Sequence, residues 1–514
     1  MRRIIRRSRS SRHSYLRGCG TSSSKVTAVS SADFNNPYTG IAFNLGFRVN
    51  KYELDLDYRV GPNRLKATAT LHIEINAWTS HITLDFADAL GADSVDAISD
   101  SQAHSIDVKR WRHSGRKLRV TFDRELAPDE TLRLIVTYSG TPRPVRSKWG
   151  EIGWEELENG ALVASQPVGA ASWYPCDDDP EVKAFYEFTM VTDAPYEVVA
   201  PGLADAPVNV GGSRRRWRFV TEEPMASYLA TINVGQFKKV ELPCQTSTVV
   251  AWVPSELVAN ARHDFRDQGR MLDEFAKLFG PYPFRAYQVV ICEDDLEIPI
   301  EAQGLSIFGA NHADGKDTWN RLIAHELSHQ WFGNSVGISQ WRDIWLNEGF
   351  ACYSEWVWSE VSGGASADVH ARKHYLDLLE DDQDIVIANP GPKLMFDDRL
   401  YKRGALTVHA LRLLLGDKVF FDLVRKWTTT NRHSVVDAVD FRALANRVCR
   451  ERGITTSHLD VIFDSWLSRS SLPDFPTDPT RSPADQGIDD NGAPIVDEEL
   501  AAQFEKLGYS KAKD

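Results

Sequence analysis

The chain has 514 residues, of which 42% are hydrophobic and 25% charged, and carries a formal net charge of -13. That length supports two to four domains with sizeable cores, and the composition is that of a soluble globular protein. The acidic balance argues against a nucleic-acid binder held by phosphate contacts, and no run is long and apolar enough to span a membrane.

Residues 1–45 read as a disordered lead. The stretch from Met1 to Arg17 is basic and serine-rich, and its charges are not followed by the apolar run that a signal peptide needs. It reads as a plain extension, or a start set too early, rather than a targeting or anion-binding arm. From Tyr52 the pattern changes to strict alternation. Tyr52–Val60, Leu65–Ile75, Leu118–Phe122, Leu132–Tyr138, Phe185–Val191 and Arg216–Val220 each repeat with period two and favour β-branched or aromatic residues. Such segments are half-buried strands, so residues 46–243 are expected to form an all-β domain of packed sheets.

Helices are expected from about residue 255. Gly280–Phe284 is a turn leading into a strand at Tyr287–Cys292, and helices then run to about 468. Residues 244–470 therefore form a second, mainly helical domain. Beyond Ser471 the sequence is rich in Pro, Asp and Gly, and 471–514 is expected to be a mostly unpacked tail with a short helix at Glu498–Lys506. The six cysteines, Cys19, Cys176, Cys244, Cys292, Cys352 and Cys449, are far apart and form no C-x-x-C, which fits free thiols in a reducing compartment.

Within the helical half stands His325-Glu326-Leu327-Ser328-His329, with Glu348 nineteen residues beyond His329. On a helix, positions i and i+4 share a face, so the two imidazoles can meet one ion. Glu326 can reach a water beside that ion. A tetrahedral zinc needs a third protein ligand and an open position, and Glu348 supplies the third if a second helix runs back past the first. Two His and one Glu make a catalytic site, not a closed structural one. The segment is flanked by Leu322-Ile323-Ala324 and Trp331-Phe332, so its His and Glu side chains are buried and need partners. A second i,i+4 pair, His370 and His374, lies among charges without a Glu and reads as a solvated helix face.

These segments resemble the aminopeptidase N family of zinc metallopeptidases, in a short form without the large helical C-terminal domain. The resemblance covers about 46–475. Its carriers are His325 to Asn334, Trp345-Leu346-Asn347-Glu348-Gly349-Phe350, Tyr401-Lys402-Arg403-Gly404, Gly280-Pro281-Tyr282-Pro283-Phe284 and Trp173 to Pro180. It implies a saddle-shaped β-domain followed by a thermolysin-like, mainly helical peptidase domain. It implies one Zn2+ per chain on His325, His329 and Glu348, and Glu326 as the base that activates water. It also implies Tyr401 as the donor to the tetrahedral oxyanion, Glu355 as support for a ligating histidine, and Glu301 with Gln166 as the holders of a substrate's free α-amino group. The family sequence G-A-M-E-N reads Ile298-Pro299-Ile300-Glu301-Ala302 here, so the glycine and the asparagine are replaced. Tyr-Lys-Arg-Gly stands for the usual Tyr-Glu-Lys-Gly.

The expected function is zinc-dependent removal of N-terminal residues from peptides with a free N-terminus, in the cytoplasm or, alternatively, after secretion. No nucleic-acid or membrane partner is expected, and the oligomeric state is left open. A C-terminal segment this short is expected to leave the cleft open. The rivals are a zinc endopeptidase or non-peptide hydrolase with that open cleft, and a non-catalytic scaffold. Intact His325, Glu326, His329, Glu348 and Tyr401 argue against the scaffold.

Overall fold

The computed structural model describes residues 35–100, 105–478 and 480–507. Most of the expected lead, residues 1–34, lies outside them. The first half is all β. Phe47–Arg59 alternates buried and solvent-facing side chains along its length. It pairs antiparallel with Arg64–Ile75 and parallel with Lys183–Asp193. Arg64–Ile75 continues antiparallel to Thr131–Gly140. The resulting ten-stranded sheet packs one face inward. Tyr52, Tyr174 and Tyr186 pack against one another in that core, with Tyr52 and Tyr186 stacked at 4.9 Å. Smaller sheets of five and three strands complete this half.

The second half opens on a five-stranded sheet. Its strand order is Phe237–Leu242, Thr248–Pro254, Ala286–Ile291, Leu305–Phe308 and Ile300–Ala302, which leaves Ile300–Ala302 at the edge. A boundary at 243 therefore falls inside the hairpin between the first two of these strands. Alternation marks a strand but does not say which sheet it joins.

Helices follow: Gln268–Phe279, Asn320–Ser328, Trp345–Ser362, Ala367–Leu379, Asp398–Thr430 (broken by a kink at Gly416), Ala438–Glu451 and Thr456–Phe463. The helix Asn320–Ser328 carries the H-E-x-x-H and is called the motif helix below. Trp345–Ser362, the glutamate helix, is buried almost to its end. It crosses Asp398–Thr430, the tyrosine helix, at closest approach between Gly349 and Gly404. A Cβ built on Gly349 would lie 2.9 Å from Gly404 Cα. No helix among the described residues is long and apolar enough to cross a membrane.

One expectation is corrected here. His370 and His374 are buried, not solvated, and both rings stack on Trp356 at 6.4 and 5.4 Å. Burial pushes His370 down to about 4. Neighbouring charges in sequence lie on the other faces of that helix, so they did not report the environment of the histidines. The tail, expected to be mostly unpacked, meets the main body at a few points and carries the helix Glu498–Lys506. Phe475 and Ile488 join the main core, and Tyr375 donates from its hydroxyl to the Pro473 carbonyl at 2.9 Å. Arg403 gathers the carbonyls of Ser465, Trp466, Arg469, Ser470 and Ser471. Of these, Ser471 alone lies in the tail. Cys176, Cys244, Cys292, Cys352 and Cys449 are all free.

Candidate metal centre and active site

The motif helix buries Ile323, Ala324 and Leu327 together with His325 and Glu326. His329 is its C-terminal cap residue. The one-face spacing brings the rings of His325 and His329 to 4.9 Å. Each Nε2 lies 3.5 Å from the same Glu348 Oε2, so three donors converge on one point. The glutamate helix places Glu348 in its first turn, and Gly349, next to it, allows the tyrosine helix to approach.

The other imidazole nitrogens are also occupied. His325 Nδ1 is 2.8 Å from Glu355 Oε1, and His329 Nδ1 is 3.0 Å from the Phe332 carbonyl. Each Nδ1 faces an acceptor, so a proton held there leaves the two Nε2 atoms as the nitrogens turned to Glu348 and open to a metal ion. Glu355 Oε2 takes a bond from Arg321 at 3.2 Å. Burial opposes the Glu355 charge, but Arg321, Lys402 and His325 outweigh it and hold the carboxyl well below the usual carboxylate range.

Buried carboxyl groups crowd the site. Glu301, Glu326 and His329 offer a second group of donor atoms within 4.8 Å of one another. Burial pushes Glu326 up to about 7. Its Oε2 is buried with no hydrogen-bond partner among the described residues. Burial also opposes the Glu348 charge, and the two histidines overcome it and hold the carboxyl down at about 2. Two inward imidazole nitrogens, one carboxylate and a second, orphaned carboxylate suit a divalent cation of borderline softness with an open position, which is the donor set of catalytic zinc.

Tyr401 comes from the first turn of the tyrosine helix, its ring stacked on His325 at 6.0 Å. Burial and then Glu348, Glu301 and Glu326 raise its hydroxyl far above the usual phenol range, so it remains a donor. Glu301 sits on the edge strand Ile300–Ala302. Gln166, from the loop after the strand Gly160–Ala164 in the β half, donates Nε2 to Glu301 Oε1 at 2.6 Å. Burial raises the Glu301 carboxyl as well. All eight residues named from the sequence are thus brought to one place: Glu326, Tyr401, Glu301, Gln166, His325, His329, Glu348 and Glu355.

At the altered segment, Ile298 points to solvent at 69% exposure, while Ala302 is buried. The Ala302 carbonyl receives Gln330 Nε2 at 3.1 Å and Asn334 Nδ2 at 2.9 Å. Sequence reading missed these two. Their signal was two amides, Gln330 and Asn334, standing in the apolar run that follows His329.

Two family models match the chain. The Peptidase M1 N-terminal domain matches residues 48–229, and the Peptidase family M1 domain matches 264–466. Among curated relatives, the chain is 24% identical over 393 residues to leucine aminopeptidase 2 of Coccidioides immitis, covering 72% of this chain and 62% of the relative. It is 28% identical over 382 residues to aminopeptidase M1-A of Oryza sativa subsp. japonica, covering 68% of this chain and 42% of the relative. The chain thus spans less than two thirds of the length of either. Among solved structures, a mutant M1 zinc metallopeptidase of Deinococcus radiodurans bound to a Tyr-Ser-Ala substrate is 26% identical, with a TM-score of 0.76. That match covers 86% of this chain and 99% of the other.

Proposed function

The chain belongs to the M1 peptidase family, and from that premise we propose that it is a zinc-dependent aminopeptidase that removes N-terminal residues from peptides. His325, His329 and Glu348 would hold one zinc ion per chain. Zinc bound there supplies Lewis-acid polarisation of a carbonyl and eases deprotonation of water. Glu326 takes the proton of the attacking water on its orphaned Oε2 and returns it to the leaving amine. The Tyr401 hydroxyl donates to the oxyanion as charge develops there, from a ring whose position is fixed against His325.

The observation that carries the exopeptidase reading is the Gln166–Glu301 bond beside Glu326 and His329. A carboxylate fixed at that distance from the base suits an α-ammonium group one residue from the scissile carbonyl, through a charge-assisted hydrogen bond. An acetylated terminus would leave Glu301 without its partner. The test is a panel of amino-acid amides, each assayed free and N-acetylated. Free substrates are expected to be hydrolysed faster by about two orders of magnitude or more. Equal rates on both would reject the aminopeptidase and favour the endopeptidase reading, which the loss of glycine at Ile298 and of asparagine at Ala302 keeps in view.

A further inference from the structure

Lys183 opens the strand Lys183–Asp193 of the β half, but its side chain leaves that half. It is 5% exposed, and its Nζ donates to the Asn334 carbonyl at 2.8 Å and the Ser335 carbonyl at 2.7 Å. Those carbonyls belong to the segment that follows His329. Among the described residues no carboxylate pairs with Lys183. Burial pushes its amine down to about 7. An ammonium group buried against carbonyls alone is an expensive way to hold an interface, and an apolar side chain would hold it at less cost. Space is kept for it nonetheless. A Cβ on Gly337 would lie 2.9 Å from Lys183 Cε.

The segment that Lys183 holds reaches the amine site. Asn334 donates its backbone N–H to the His329 carbonyl at 3.0 Å and its Nδ2 to the Ala302 carbonyl at 2.9 Å. Gln330 donates to the same Ala302 carbonyl and accepts from the Gly304 N–H at 2.8 Å. Ala302 is the neighbour of Glu301. We propose that Lys183 is a positioning residue for the free-amine site: by fixing the Asn334 and Ser335 carbonyls it sets Asn334 against Ala302, and so sets Glu301 at its distance from Glu326 and His329. The inference rests on the aminopeptidase reading.

Lys183→Met keeps the stem and removes the donor. In the zinc-loaded enzyme KM for a free amino-acid amide should rise by about tenfold, with a much smaller fall in kcat, and the preference for free over acetylated substrate should narrow by the same factor. Amide hydrogen exchange, measured with and without metal, should quicken at 300–306 and 330–336 and stay unchanged in the glutamate helix. Lys183→Gln, which retains a donor, should recover part of the KM. In a double variant with Asn334→Asp, which cannot donate to Ala302, the two effects should not add. A lowered melting temperature with KM, substrate preference and exchange at 300–306 all unchanged would overturn the proposal, as would additive effects. If Lys183→Met does not fold, Gly337→Ala, which crowds the lysine stem, is read by the same measurements. Should the wild-type protein not distinguish free from acetylated substrates, the aminopeptidase reading falls, and the exchange at 300–306 then decides whether Lys183 holds the segment.

Discussion

Glu326 and Tyr401 approach the same point from different helices, and substitution separates their work from metal binding. Neither is one of the three converging donors. Glu326→Gln should retain zinc and lower kcat by about 10²–10⁴-fold, the usual worth of a positioned base. Tyr401→Phe should also retain zinc and lower kcat while leaving KM nearly constant. A rise in KM alone would remove its oxyanion role. Glu355→Ala acts one step further out. It frees His325 Nδ1 and should weaken zinc binding by about 10–100-fold in a chelator competition, with metal still bound at saturation. In the β half, burial pushes Asp178 from 3.8 up to about 7, and its Oδ2 has no hydrogen-bond partner among the described residues. A carboxyl whose folded value is raised stabilises the fold below its unfolded value and loses that contribution as pH rises through the folded value. Stability should therefore fall between about pH 4 and pH 7, and Asp178→Asn should flatten that decline in denaturant titrations at several pH values. A decline left unaltered by the substitution would mean that another group carries it.

At the scale of elements, the strands and the motif helix were legible because their periods are written in adjacent residues. The i,i+4 spacing of His325 and His329 and the alternation of Phe47–Arg59 are local statements, and the fold honours them. What was not legible depends on partners far away in sequence. His370 and His374 looked solvated because Trp356, which they stack on, comes from another helix. Lys183 acts on backbone carbonyls, which carry no sequence signal. The crossing of the glutamate and tyrosine helices is of the same kind. Gly349 and Gly404 are separate glycines in the sequence and one contact in the fold. Alanine at either must push the helices apart, moving Glu348 beside the first glycine and Tyr401 one turn before the second. Gly404→Ala should destabilise the protein by about 1–3 kcal/mol and weaken zinc retention, read by thermal unfolding and chelator challenge. Unchanged zinc retention in the folded variant would show that the crossing does not set the site.

At the scale of the whole molecule, the two halves and the tail share one continuous core. The tail contributes to it through Phe475, and Phe475→Ala should cost about 3–5 kcal/mol if the surroundings do not collapse into the space. Equilibrium unfolding in denaturant measures this, and a loss below about 1 kcal/mol would return the tail to the status of an unpacked extension. The Gln166–Glu301 bond has a different reach. One of its partners lies in each half, so under the proposed function the grip on a peptide terminus has its zero mark on one half and its scale on the other. Exchanging the β half for that of a relative would change the partner offered to Glu301 while His325, Glu326, His329 and Glu348, all in the second half, stay in the chain.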